Sequence, residues 1–131
     1  MTGLDTNGLV RYLTQDDARQ SRRVNALVAE AVAAGERLFV GAVVLCELVW
    51  VLRGAYGFDK PTVADAIEKV IEAGAFSIEG RDVLGEALTA YRTGRGDFAD
   101  YVLGLRNREA GCRTTVTFDR ALRRGSLFTI A

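Results

Sequence analysis

Short apolar or β-branched runs alternate with segments of helical periodicity along the whole of this chain, and that alternation most narrows its fold. Strand candidates fall at residues 3–5, 38–40, 75–79, 114–117 and 127–130. Helix-period segments lie between them, at 7–13, 18–34, 43–56, 61–74, 83–92 and 97–110, with a helical turn at 121–124. Pro61 follows the turn GFDK and suits the first helical position; Gly111 closes the segment before it. Strand–helix alternation of this kind predicts an α/β protein with a parallel sheet and helices on both its faces. At 131 residues, a single domain spanning 1–131 is expected. Ligands of such folds bind at the carboxyl ends of the strands, and Asp5 and Asp119 stand just past two of those ends.

The composition excludes several chemistries. The chain has no histidine, which removes Ser-His-Asp and Cys-His nucleophile systems, histidine bases and imidazole zinc sites. Lys60 and Lys69 are the only lysines, so arginine supplies nearly all the positive charge, and its fork suits phosphate. The net charge of zero argues against a general nucleic-acid coat and leaves room for a local phosphate-binding patch. Cys46 and Cys112 are expected to be reduced, buried small hydrophobes. No apolar run reaches the roughly 18 residues of a membrane span, and the start MTGLDTNGLV lacks a basic, apolar leader. A cytoplasmic protein is expected.

Glu47 raises a sharper question. It is the only charge in residues 39–52, and its helical neighbours at three and four residues are Val43, Val44, Trp50 and Val51. A buried, unpaired carboxylate protonates or costs several kcal/mol, so Glu47 calls for an arginine from another segment or for a cation. Asp5, Asp97 and Asp119 each precede a helix, where capping explains an aspartate as well as function does. Asp100 lies one turn beyond Asp97. A divalent cation makes sense of the acids as a set. Magnesium and manganese take oxygen ligands, need few carboxylates and offset the repulsion among them.

Four segments in order, LDTNGLVRYL, CELVWVLRGAYG, GDFADYVLGL and TVTFDRAL, resemble the PIN-domain ribonucleases, and more closely the VapC-type toxins of toxin–antitoxin systems. The resemblance runs from Leu4 to the last strand. It implies a three-layer α/β/α sandwich around a short parallel sheet, and a magnesium- or manganese-dependent endoribonuclease. The family's metal ligands fall on Asp5, Asp97 and Asp119, and its catalytic acids on these three and Glu47. Asn7 and Asp100 take supporting positions. Glu47 would help position or deprotonate an attacking water, leaving a 5′-phosphate and a 3′-hydroxyl. The resemblance also implies an RNA substrate, an antitoxin whose tail covers the acid pocket, and a homodimer.

Six arginines between Arg106 and Arg124 face only Glu109 and Asp119 in sequence; they form either a solvated face or a track for RNA phosphates. Val24, Leu27, Val28 and Val32 form a stripe read as core, and Trp50 and Tyr56 suit packing or an interface equally. Two other readings remain. One is a phosphatase of the aspartyl-phosphate type, suggested by LDTN although its third position is Asn7. The other is a non-catalytic binding module whose acids serve only to hold a partner.

Overall fold

A computed structural model describes residues 1–131. The fold class is α/β with short parallel strands, the class expected of a PIN-like protein, and the chain divides into two compact units, Met1–Glu79 and Gly80–Ala131. The amino-terminal unit runs β1 (Thr2–Gly3), α1 (Thr6–Thr14), α2 (Ala18–Ala33), β2 (Leu38–Val40), α3 (Ala42–Gly54), α4 (Lys60–Glu72) and β3 (Phe76–Ile78). Its sheet is parallel with β2 in the centre; Leu38 pairs Thr2 on one side and Phe76 on the other. The carboxy-terminal unit runs α5 (Arg81–Thr93), α6 (Phe98–Glu109), β4 (Thr115–Thr117), a 3₁₀ turn (Arg120–Leu122) and β5 (Phe128–Ile130), with β4 and β5 parallel.

The apolar segment at 42–54 becomes α3 and buries Leu45, Leu48, Val49 and Leu52, the stripe expected of a helix laid on a core. Val43, Glu47 and Trp50 lie on the opposite, exposed face. Glu47 is therefore not the buried carboxylate expected. A run this uniformly apolar conceals the phase of its helix, and residue 47 lies about 200° around from residue 45. The α2 stripe also splits: Val24 and Val28 are buried, whereas Leu27 and Val32 are 45% and 56% exposed. Neither cysteine is in a disulfide, but the burial expected of them is not seen: Cys46 is half-buried, and Cys112 is exposed, carried just past α6 by the positive-φ Gly111 (φ 103°).

Local capping sets the helix starts. Asp17 accepts from the Gln20 N–H at 2.9 Å and Asp59 from the Thr62 N–H at 3.0 Å, while Pro61 occupies the first turn of α4. The α1–α2 turn is tied to the loop after α3 by a polar cluster. Arg11 donates through Nε to Gln20 at 2.7 Å and through Nη1 to the Tyr56 hydroxyl at 3.0 Å and Asp16 at 3.1 Å. The Tyr56 hydroxyl donates to Asp16 Oδ2 at 2.6 Å, and Thr14 Oγ1 donates to Oδ1 at 2.7 Å. Tyr56 is thus engaged within the chain through its hydroxyl.

The Tyr56 hydroxyl first, then Thr14 and the Arg11 charge, hold the Asp16 carboxyl below the ordinary aspartate range. A depressed carboxylate contributes stability that is present above its unfolded pKa and lost as pH falls through its folded pKa. Asp16→Asn is accordingly expected to lower the melting temperature at neutral pH, with the gap to wild type closing as the pH drops below the ordinary aspartate range. Thermal melts across acid pH check this; a gap that stays constant with pH contradicts it.

Candidate active site

In the amino-terminal unit the chain leaves β1 and turns at once into α1. Asp5, in extended conformation, caps that helix, and its Oδ1 accepts from the Gly8 N–H at 2.8 Å. Thr6, the first helical residue, donates its hydroxyl to Glu47 Oε1 at 3.0 Å. Asp5 and Glu47, 42 positions apart in the sequence, thus flank one threonine, and Glu47 is fixed by a hydroxyl rather than by an arginine. Asn7 is exposed on the same turn. Asp5 is also exposed, and a groove of about 930 Å³ opens beside it, lined by Asp5, Asn7, Arg11, Arg19, Arg23 and Leu27 among others.

In the carboxy-terminal unit Asp97 and Asp100 form a capping box at the start of α6. Asp97 Oδ1 accepts from the Phe98 N–H at 2.8 Å, and Asp100 Oδ2 accepts from the Asp97 N–H at 3.0 Å. Asp119, just past β4, is exposed and caps the 3₁₀ turn, accepting from the Ala121 N–H at 2.9 Å. Burial raises the Asp100 carboxyl above its usual range. The hydrogen bond from the Asp97 backbone opposes that rise, and the charges of Asp97 and Asp119 add to it. Asp100 therefore lies within electrostatic reach of both Asp97 and Asp119.

Capping accounts for the backbone hydrogen bonds of Asp5, Asp97 and Asp119, yet Asp5 and Asp119 stand just past the carboxyl ends of β1 and β4, where α/β folds bind ligands, while Asp97 stands at the start of α6. The structure brings together Asp5 with Glu47 in one unit, and Asp97 with Asp100 and Asp119 in the other. Within neither unit do three or more acidic or thiol side chains gather closely enough to hold an ion by themselves. Of the six arginines from Arg106 to Arg124, Arg108 pairs with Glu86 at 2.8 Å, and all six are exposed.

Two residues escape sequence reasoning. Thr6 is signalled only by its place between Asp5 and Asn7, and its link to Glu47 spans 41 residues. Glu79 follows β3, and its Oε1 accepts from the Ala42 N–H at 2.8 Å, capping α3 from another strand end. A strand-terminal acid at 79 is the only sign of it in the sequence.

An α/β fold with short parallel strands and acids at their carboxyl ends is the architecture of a PIN-like domain. Over 127 residues, 97% of its length, the chain is similar at 24% identity to the VapC ribonuclease of Aquifex aeolicus (strain VF5), covering 93% of that protein. The resemblance to VapC-type PIN-domain toxins read from the four motifs is thereby borne out along nearly the entire chain. No protein-family model matches the chain. No helix is long and apolar enough to cross a membrane.

Proposed function

We propose that this protein is a magnesium- or manganese-dependent endoribonuclease, the toxin of a toxin–antitoxin pair, acting in the cytoplasm on single-stranded or loop RNA. The observation that carries this reading is the end-to-end similarity to a VapC ribonuclease. The chemistry of the donors, though not a preformed cluster of them, supports the ion. Every candidate ligand is a carboxylate oxygen, the chemistry these cations prefer, and the charges of Asp97 and Asp119, which add to the burial-driven rise of Asp100, are of the kind a cation offsets.

Asp5, Asp97 and Asp119 would hold the ion. When bound, it supplies the positive charge that stabilises a phosphodiester as negative charge develops on it. Glu47, oriented by the Thr6 hydroxyl, positions the attacking water and accepts its proton. Asp100 braces Asp97 through the capping box. A cognate antitoxin and a second copy of the chain are the proposed partners.

Incubation of the purified protein with a mixed RNA pool tests the reading. Cleavage is expected with magnesium or manganese present, with 5′-phosphate ends, and none after chelation. Cleavage that persists in chelator removes the metal from the proposal; no cleavage under any condition removes the activity.

A further inference from the structure

The exposed face of α3 carries more than Glu47. Trp50 lies one turn further along and keeps 53% of its surface exposed; Val43, one turn before, keeps 70%. An indole is normally buried on average, so a half-open one beside a candidate catalytic acid stands out. Arg53, the next turn on, is exposed, with one guanidinium N–H donated to the Phe58 carbonyl at 3.3 Å out of the five such donors an arginine has. Residues three apart are neighbours on a helix surface. Successive turns of α3 thus present a carboxylate, an indole and a guanidinium.

We propose that Trp50 is a substrate-positioning residue whose indole stacks an unpaired base of single-stranded RNA, with Arg53 holding an adjacent phosphate and Glu47 left at the phosphodiester to be cut. This rests on the ribonuclease reading above. Unpaired bases are recognised by stacking on aromatic rings, and a duplex offers no such free base face. The row of groups favours a nucleotide over a second copy of the chain. Two α3 helices packed with Val43 of each against Trp50 of the other would set Glu47 against its own copy, burying like charges with only the Thr6 hydroxyl on each to offset them.

Trp50 is the only tryptophan of the chain, so its fluorescence reports this face alone. The intact chain carrying Asp5→Asn, expected to leave RNA uncut, is titrated with an unstructured oligoribonucleotide, with binding followed independently by anisotropy of labelled RNA. Saturating RNA is expected to quench Trp50. Trp50→Ala is expected to lose roughly 5- to 100-fold in affinity, and Trp50→Phe to retain most of it. Wild-type protein that cleaves RNA while bound RNA leaves Trp50 unquenched, or while Trp50→Ala binds as tightly, overturns the stacking and spares the ribonuclease reading. Protein that neither binds nor cleaves RNA overturns both. A Trp50→Ala variant that turns from dimer to monomer in sedimentation, with RNA affinity unchanged, assigns the face to a second copy and overturns the proposal.

Discussion

Asp97→Asn is expected to lower metal-dependent RNA cleavage by at least about 100-fold if Asp97 is the direct ligand proposed, because loss of such a ligand exceeds the 10–100-fold cost of disturbing its outer partners. The asparagine matters to the design of the test. Asn caps a helix about as well as Asp, so the bond from the Phe98 N–H at 2.8 Å survives and only the negative charge is removed. Asp97→Ala removes cap and charge together and should also lose about 1 kcal/mol of stability. Paired measurement of cleavage rate and melting temperature separates the two roles. Equal cleavage by Asp97→Asn and wild type would assign Asp97 to capping alone. The same comparison at Asp5, which caps α1 through the Gly8 N–H, is expected to give the same division.

Gly104→Val is expected to destabilise the carboxy-terminal unit by roughly 1–3 kcal/mol, the usual range for overpacking a filled core. Gly104 is buried in the middle of α6, and a Cβ placed there would lie 2.7 Å from Phe128 Cζ and 2.9 Å from Leu127 Cγ. Those atoms belong to β5 and the residue before it, and Phe128 is itself buried, so its ring has little room to yield. A helix interior otherwise penalises glycine by about 1 kcal/mol against alanine, so close approach is what justifies it at this position. Leu103→Val is the control: it adds a β-branched residue to the same helix at a position 51% exposed. Thermal melts should show Gly104→Val well below Leu103→Val. If the two melt together, the helix–strand approach is looser than described.

The elements were legible because strong local signals mark them. Pro61, the capping aspartates and Gly111 each carry their own stereochemistry, and β2 appears at the residues its apolar run indicates. What local signals could not supply was rotation. Within 42–54 nearly every residue is apolar, so nothing in composition told which side of α3 would face the core, and Glu47 was read as buried for that reason. The same ambiguity divided Val24 and Val28 from Leu27 and Val32 on α2. The strand-end acids were legible through their position and through resemblance to a known motif order. Thr6 and Glu79 were not, because each acquires its role through a partner 41 or 37 residues away, Glu47 and the Ala42 backbone.

The way the strand pairs fall along the chain bears on its synthesis. Every bond of the three-stranded ladder is made among residues 2–78, and both members of the second ladder come after residue 114. Chains emerge from the ribosome amino-terminus first and fold unit by unit. The first sheet can therefore close before the acids at 97, 100 and 119 have left the ribosome, and a nascent polypeptide presents those carboxylates only after its first ladder is formed.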